Sequence, residues 1–282
     1  MAGSTWRQRM IDELAAGSRM ANTARGPVEY AALEGSQGPV VLALHGRPGG
    51  YDQGLVMARS LGEGLARWIA VSRPGYLRTP LETGPTPPEQ ADAYAALLDT
   101  LGVDRAAVLG LSGGGPSAIQ FALRHSDRCQ GLVLVSAVSR RKLPSERTPG
   151  QKFYDAVIGP SDALAQSLYR LFTPIMGSAA RQGLATVLVL PETLRGAGRR
   201  NDLAQIEAMP LEPPSGIGVP TLIVHGTADR VVPIAHAEAA LRAIPGAKLV
   251  RIAGGGHSIL FARAAEIQPS VAEFLASLPI HA

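Results

Sequence analysis

Short runs of consecutive apolar residues recur along the chain, and turn-forming residues bound each run. The clearest five are Pro39–Leu44, Trp68–Val71, Ala106–Leu111, Gly131–Val135 and Thr221–Val224. Strands buried on both faces of a parallel sheet have this continuous apolar pattern, because neither face is open to water. These runs therefore predict the inner strands of a mostly parallel sheet.

Two further runs predict additional strands of that sheet. Leu249–Ala253 follows the last of the five runs, and Val28–Leu33 precedes the first. A turn at residues 35–38 separates Val28–Leu33 from Val40–Leu44, so we expect these two strands to pair as a hairpin.

Between the strands, apolar residues recur at intervals of three and four, which is the spacing of an amphipathic helix. One such pattern begins after Pro88 and stops at Gly102, and similar patterns cover Gly115–His125, Ile234–Ala243 and Leu260–Leu278. Regular alternation of strands and helices predicts an α/β fold with a doubly wound sheet, whose two faces are covered by helices.

One long segment, residues 139–218, departs from this alternation. Its apolar residues have helical spacing, prolines cut it into short pieces, and residues 184–190 fit either a helix or a strand. We therefore predict a helical cap over residues 139–218, inserted after the sixth strand. The rest of the chain divides into an N-terminal helical extension (1–25) and a core (26–138 and 219–282).

The composition excludes several classes of protein. Cys129 is the only cysteine among 282 residues, which rules out internal disulfides and a Cys-rich zinc site. No run reaches the roughly 20 apolar residues that span a bilayer. Arg7, Arg9 and Arg19 lie in the N-terminal region, which lacks the apolar stretch of a signal peptide. We therefore expect a cytoplasmic protein without a membrane span.

The basic residues give no sign of a nucleic-acid partner. The formal net charge is +4, and most of the 27 basic residues are scattered singly along the chain. A nucleic-acid interface would concentrate them in a patch or stripe with interleaved aromatic residues. We expect a small-molecule substrate instead, and a monomer or homodimer.

A candidate nucleophile follows the predicted strand Ala106–Leu111. Residues 110–114 read Gly-Leu-Ser-Gly-Gly and match G-x-S-x-G, in which the serine lies on a sharp turn between a strand and a helix. The flanking positions must be glycine because a side chain there would collide with the neighbouring helix or strand. The alternatives are a plain turn or a phosphate-binding loop, although no lysine follows the glycines as a P-loop requires. We predict that Ser112 is the nucleophile.

A serine hydroxyl needs a base to remove its proton, and histidine is the usual one. His257 follows the last predicted strand in a loop with three preceding glycines, which lets it reach across the strand ends. We predict that His257 is the base, the alternative being a loop histidine with structural hydrogen bonds only. The other histidines have simpler interpretations at strand ends, on helices or in the tail: His45, His125, His225, His236 and His281.

The base in turn needs an acceptor that fixes its tautomer. Asp229 lies in the loop after strand Thr221–Val224, at the carboxyl edge of the sheet where the serine and histidine also lie. The alternative for Asp229 is the N-cap of a following helix. The fourth component is an oxyanion hole, which we predict from the backbone amides of Gly113 and Arg47. Whether the Arg47 side chain also faces the substrate stays open.

Five motifs in this order resemble the α/β-hydrolase superfamily, in its cap-containing serine hydrolase branch. The segments that resemble family motifs are HGRPGG, SRPGY, GLSGGG, HGTADRVVP and GGGHS, and the resemblance covers about residues 28–278. It implies an oxyanion turn, a nucleophile turn, an acid loop and a histidine loop in one fold, without a metal or cofactor. Because many reactions share this fold, the motifs do not identify the substrate.

The sequence departs from the family pattern at several positions. Ser72 stands where an Asp usually precedes Arg-Pro-Gly, so that loop is expected to pack differently. The nucleophile is Ser, whereas epoxide hydrolases and haloalkane dehalogenases of the superfamily use Asp, which disfavours those activities. HGRPGG also resembles the HGGPGG motif of prolyl aminopeptidases, but Arg47, Leu111 and Gly113 break that pattern.

The leading functional hypothesis is hydrolysis of a small to medium carboxylic ester through an acyl-enzyme. Gly46 and Leu111 near the serine, and the cap residues Leu168, Phe172 and Met176, are expected to contact the substrate. The cap side chains would equally serve as the core of the cap. C–C bond hydrolysis, prolyl-type aminopeptidase activity and a receptor-like ligand-binding role are the alternatives.

Overall fold

The computed structural model describes residues 5–33, 38–175 and 185–279. Within these ranges, eight strands form one sheet in the order β1-β2-β4-β3-β5-β6-β7-β8. Their bounds are β1 Arg19–Thr23, β2 Gly26–Leu33, β3 Val40–Leu44, β4 Arg67–Val71, β5 Ala106–Leu111, β6 Cys129–Val135, β7 Thr221–Gly226 and β8 Lys248–Ile252. Strands β3 to β8 are mutually parallel, which confirms the predicted mostly parallel sheet.

Helices cover both faces of the sheet. Their bounds are α1 Trp6–Ala16, α2 Tyr51–Leu61, α3 Pro87–Thr100, α4 Gly115–Arg124, α5 Pro149–Phe153, α6 Asp162–Phe172, α7 Gly196–Ala208, α8 Ala235–Ala243, α9 Ile259–Ala262 and α10 Ala264–Ala276. One apolar cluster joins α3, α4 and α8 to the sheet, and another joins α2 and α10 to the opposite face. Every residue of β3, β5 and β6 is buried because each strand lies between the two clusters.

The antiparallel end of the sheet differs from the prediction. Strand β2 does not form a hairpin with β3 but pairs antiparallel with β4 and with β1. The expected extension 1–25 contains helix α1, but it also contains β1. Strand β1 has the sequence RMANT at the edge of the sheet, and such a polar edge strand has no apolar run to reveal it.

Ser72, which stands where the family pattern has Asp, forms a hydrogen bond with a carboxylate on β2. Ser72 Oγ donates to the buried Glu29 carboxylate at 2.7 Å and accepts from the backbone N–H of Tyr51 at 3.1 Å. Arg78 donates to the same carboxylate at 2.7 Å. Glu29 therefore anchors the loop after β4 to the antiparallel end of the sheet.

The segment between β6 and β7 contains short helices, and no strand is present in its described part. Helices α5 and α6 are followed by residues 185–188, which are helical, and by α7. Of the range 184–190, whose sequence fits either a helix or a strand, the described residues 185–190 therefore contain a helical turn and no strand. A π-helical turn, Tyr154–Ile158, continues α5. The segment lies against the loops at the carboxyl ends of the strands, as its ion pairs show.

A buried ion pair joins this segment to the sheet. The Arg73 guanidinium, at the end of β4, donates to the Asp202 carboxylate of α7 through both terminal nitrogens, one at 2.9 Å. Tyr76 donates to the same carboxylate at 2.6 Å. Burial, and then the Asp202 carboxylate, raise the pKa of Tyr76 well above 10.0, so its hydroxyl keeps the proton that it donates.

A second buried arginine fastens the turn after β3. Arg195, fully buried before α7, donates to the Asp52 carboxylate at 2.9 and 3.2 Å and to the carbonyl oxygen of Gly49 at 2.6 Å. The turn at residues 45–50 is therefore held between the sheet and the inserted segment.

His45 completes the connection between that turn and Arg73. Its Nδ1 lies 2.7 Å from the Gly46 carbonyl oxygen, and its Nε2 accepts from the backbone N–H of Arg73 at 3.0 Å. These contacts require a neutral ring that carries its proton on Nδ1. Burial, and then the Arg73 guanidinium, lower the pKa of His45 well below 6.5.

Replacing Asp202 by Asn should lower the free energy of unfolding by about 3–5 kcal/mol, because Arg73 would stay buried without its counter-charge. Urea denaturation monitored by circular dichroism measures this loss. Glu63→Gln is the matched control, since it breaks an exposed ion pair with Arg59 and should cost less than about 1 kcal/mol. Equal losses in the two variants would contradict the structural role of the Arg73–Asp202 pair.

His45 should stay neutral, with its proton on Nδ1, well below pH 6.5. Because its folded pKa lies below the unfolded value, its contribution to stability is present above about pH 6.5 and decreases as the pH falls toward the folded pKa. Imidazole ¹⁵N chemical shifts report the tautomer directly, and urea-unfolded protein supplies the reference titration. A midpoint near the unfolded value in the native protein would refute this assignment.

Candidate active site

Ser112 lies on the predicted sharp turn between β5 and α4. Its φ is 49°, a left-handed conformation that non-glycine residues rarely adopt. A Cβ at Gly110 would lie 2.8 Å from the Cβ of Ala118, and one at Gly114 would collide with the carbonyl oxygen of Leu44. The two flanking glycines therefore permit the tight approach of strand, turn and helix that the motif predicts.

The structure brings the three predicted polar residues together in one hydrogen-bonded chain. His257 Nε2 lies 3.0 Å from Ser112 Oγ, and His257 Nδ1 lies 2.8 Å from Asp229 Oδ2. Ser112 is buried, His257 is partly exposed and the Asp229 side chain is fully buried. The arrangement has the geometry in which a carboxylate orients an imidazole and the imidazole accepts a serine proton.

Asp229 uses its two oxygens for different purposes. Oδ1 accepts from the backbone N–H groups of Val231 and Val232 at 2.8 and 2.9 Å, whereas Oδ2 faces His257. Burial alone would raise the pKa of Asp229, but hydrogen bonds from His225 and His257 lower it well below 3.8. No helix begins at these residues, because α8 begins at Ala235, so Asp229 stabilises its own loop and is not the N-cap that the alternative expected. The carboxylate stays ionised.

The remaining histidines of the described chain have structural contacts. His225 Nε2 donates to the Val232 carbonyl oxygen at 2.8 Å, and His125 Nε2 contacts the Asp92 carboxylate at 2.9 Å. Burial and then Arg140 lower the pKa of His236 to about 4. His281 lies outside the described residues.

The predicted oxyanion donors lie next to each other. The backbone nitrogen of Arg47 is 3.4 Å from the position that a Cβ would take at Gly113. The Gly46 N–H donates to the buried Gln53 side chain at 2.7 Å, which fixes the turn that carries Arg47. Arg47 and Gly113, the two predicted donors, are therefore neighbours in space beside Ser112.

A cavity of about 440 Å³ opens above Ser112 and His257. Its walls come from the oxyanion turn, the acid loop, the segment before and within α5, and α7. The lining residues are Arg47, Ser112, Gly113, Val138, Arg141, Lys142, Leu143, Pro144, Arg147, Gln151, Asp155, Leu203, Ile206, Glu207, Val231, Val232 and His257. The Arg47 side chain does face this space, where it donates to the Asp155 carboxylate at 3.0 Å.

The predicted substrate-contacting residues are not part of this lining. Leu168 and Phe172 lie on α6, which packs on the side of α1, where Arg170 contacts the Trp6 ring. Phe172 is 44% exposed, so α6 leaves it on the outer surface. Leu111 belongs to the apolar core, and Gly46 lies behind Ser112. Met176 lies outside the described residues.

The polar cavity residues that sequence reasoning missed lie in the inserted segment. Lys142, Arg147, Gln151 and Asp155 carry no motif, and helical spacing of apolar residues drew attention to α6 instead. The only sequence signal is the basic cluster at residues 140–142, which lies at the start of the inserted segment.

The described residues, 5–33, 38–175 and 185–279, contain neither a membrane-spanning helix nor a metal-binding cluster. No helix there combines the length and the apolar character needed to cross a membrane. Within the same ranges, no cluster of three or more His, Cys, Asp or Glu side chains has the arrangement of a metal site.

Comparison with known proteins identifies the fold family. The family described as alpha/beta hydrolase fold matches residues 39–264. The uncharacterized hydrolase YcgS of Bacillus subtilis is 28% identical over 275 residues, which span 89% of this chain and 96% of the relative.

Solved structures show the same fold. An alpha/beta hydrolase fold protein from Nakamurella multipartita is 35% identical with a TM-score of 0.72, covering 92% of this chain and 98% of that chain. A thermophilic esterase from Thermogutta terrifontis is 22% identical with a TM-score of 0.71, covering 94% and 99%. The extent of the family match and the shared fold establish that this chain belongs to the alpha/beta hydrolase family.

Proposed function

We propose that the protein is a serine hydrolase that cleaves a carboxylic ester of small to medium size. The observation that carries this proposal is the chain of contacts from Ser112 Oγ through His257 to Asp229 at the floor of the cavity. The cavity volume of about 440 Å³ suits a small-molecule ligand.

In the proposed acylation step, His257 Nε2 accepts the Ser112 proton while Oγ forms a bond to the substrate carbonyl carbon. The carbonyl oxygen becomes an oxyanion, which accepts hydrogen bonds from the Arg47 and Gly113 amides. The bond to the alcohol oxygen then breaks, and His257 gives that oxygen its proton. Asp229 stays ionised throughout and stabilises the imidazolium.

Deacylation repeats these steps with water as the nucleophile. His257 accepts a water proton as the water oxygen bonds to the acyl carbon, and the oxyanion occupies the same two amides. The bond between Ser112 Oγ and the acyl carbon then breaks, and Oγ recovers the proton from His257. The products are a carboxylic acid and the regenerated enzyme.

The charge of the cavity disfavours the aminopeptidase alternative. An aminopeptidase must hold a substrate ammonium, but among the described residues the cavity is lined by four Lys and Arg side chains and two carboxylates. Both carboxylates are already paired, Asp155 with Arg47 and Arg147, and Glu207 with Arg147. A cationic substrate would have to displace these arginines.

C–C bond hydrolysis uses the same residues and remains the second enzymatic candidate. The Arg47 guanidinium in the cavity favours C–C bond hydrolysis if the diketone substrate carries a carboxylate, because the two groups have opposite charges. A receptor-like binding role is the third candidate. The hydrogen-bonded Ser112, His257 and Asp229 disfavour it, because ligand binding alone does not require them.

A fluorophosphonate probe should label the native protein covalently on Ser112, and p-nitrophenyl esters of short acyl chains should be hydrolysed. Ser112→Ala removes the nucleophile, so labelling should vanish and turnover should fall by about 10⁴-fold or more. Gel fluorescence and release of p-nitrophenolate provide the readouts. Ser117→Ala, a buried serine on α4, is the matched control and should retain labelling. Labelling of Ser112 without ester turnover would favour the receptor role.

Asp229→Asn should lower kcat for the same esters by about 10³–10⁴-fold, because an amide cannot fix the His257 tautomer or stabilise the imidazolium. The substitution preserves the side-chain volume, and circular dichroism should show an intact fold. Asp99→Asn serves as a control, because that exposed carboxylate pairs with Arg128 and does not line the cavity. A near-native kcat in Asp229→Asn would require another acid.

A further inference from the structure

The basic side chains of the cavity are unequally neutralised. Arg47 and Arg147 share the Asp155 carboxylate at 3.0 and 3.4 Å, and Arg147 also contacts Glu207 at 3.1 Å. Lys142 lines the same cavity, and among the described residues no carboxylate lies within ion-pair distance of it. One partly buried ammonium in the cavity wall thus lacks a direct counter-charge.

Lys142 is held firmly although its partners are neutral. Its Nζ donates to the carbonyl oxygen of Val231 and to Gln151 Oε1, the latter at 3.0 Å. Gln151 itself donates to the Val231 carbonyl oxygen at 2.9 Å, which ties the residues before and within α5 to the acid loop. An ammonium has three N–H groups, and these contacts use two of them.

The surroundings make an anion the best additional partner. Burial, and then the positive charges of Arg47 and Arg147, lower the pKa of Lys142 to about 8, although Glu146 and Asp229 oppose this shift. An anion placed beside Nζ would restore the solvation that burial removes and would raise this pKa again. A neutral ligand would leave the ammonium as poorly compensated as before.

We propose that Lys142 forms an anion subsite, and that the preferred substrate is an ester with a second, ionised carboxylate on its acyl portion. The inference rests on the proposed ester hydrolysis at Ser112. The substrate carboxylate forms an ion pair with Lys142 Nζ, with Arg47 and Arg147 adding to the positive potential, while the ester carbonyl lies at Ser112. Lys142 is a specificity residue in this scheme and takes no part in proton transfer.

The test compares two esters of equal length: p-nitrophenyl hydrogen adipate, which is anionic, and p-nitrophenyl methyl adipate, which is neutral. The measured quantity is the ratio of their kcat/KM values. The ratio should favour the anion in the native protein and fall about tenfold or more in Lys142→Met, because a charge-assisted hydrogen bond is lost. An unchanged ratio in Lys142→Met would overturn the proposal.

Two further variants separate the charge of Lys142 from general effects. Lys152→Met removes an exposed lysine on α5 that does not line the cavity, and its ratio should equal that of the native protein. Lys142→Arg keeps a positive charge and should recover part of the lost ratio. If Lys152→Met lowered the ratio of the two kcat/KM values as much as Lys142→Met does, the proposal would also be overturned.

The pH dependence provides a readout that requires no variant. The native ratio should decline as the pH rises from about 7 to about 9.5, since Lys142 loses its charge in this range and the substrate carboxylate stays ionised. Taking a ratio cancels every pH effect on the Ser112 reaction that the two esters share. In Lys142→Arg the ratio should stay flat, because a guanidinium keeps its charge. A flat native ratio would count against the subsite.

Failure of the ester reaction can be distinguished from failure of the subsite. If neither ester is hydrolysed by the native protein, the proposed function is wrong, and the subsite is then tested by calorimetric titration with adipate. The subsite stands if adipate binds to the native protein and to Ser112→Ala but at least about tenfold more weakly to Lys142→Met. Equal binding to all three, or no binding to the native protein, overturns it.

Discussion

The buried ion pair between Arg73 and Asp202 is the constraint on which the geometry of the site depends. A guanidinium removed from water requires a matched carboxylate, and breaking such a pair leaves an uncompensated charge in the interior. Arg73 Nε also donates to the carbonyl oxygen of His45 at 2.9 Å, next to the turn that carries the oxyanion donors. Helix α7, which carries Asp202, supplies one wall of the cavity. One pair of charges thereby places the wall relative to the oxyanion turn.

Strain and rigidity around Ser112 have the same origin. The left-handed backbone of Ser112 is costly for a residue with a side chain, and it persists only where the surroundings leave no alternative. Those surroundings are two close-packed glycines in its own turn and the carbonyl oxygens of the neighbouring turn at the end of β3. Hydrogen bonds from Arg73 to the His45 carbonyl oxygen and from Arg195 to the Gly49 carbonyl oxygen hold the turn after β3. The nucleophile and the oxyanion amides are therefore positioned by one connected set of contacts.

The sheet and the hydrogen-bonded site could be predicted from sequence because each depends on local patterns. Continuous apolar runs indicate strands buried on both faces, and a glycine-flanked serine or histidine directly after such a strand lies at its carboxyl edge. The edge strand β1 was missed because its polar sequence is indistinguishable from a loop. The cavity wall was assigned to α6 because amphipathic spacing shows which face of a helix is apolar, but not which neighbour it packs against. The contacts that decide this, Arg73 with Asp202 and Arg195 with Asp52, join residues more than a hundred positions apart.

The positive charge of the cavity acts in opposite directions on the two charges that the reaction develops. Nearby cations stabilise an oxyanion at the amides of Arg47 and Gly113, but they destabilise an imidazolium at His257. Asp229 offsets the second effect, because its buried carboxylate stays ionised and places Oδ2 2.8 Å from His257 Nδ1, with His225 Nε2 3.4 Å from the same oxygen. A carboxylate bound at Lys142 would reduce the remaining positive potential of the cavity. Recognition of an anionic ester at Lys142 and proton transfer at His257 would then be coupled through the electrostatic potential of the same cavity, without contact between the two side chains.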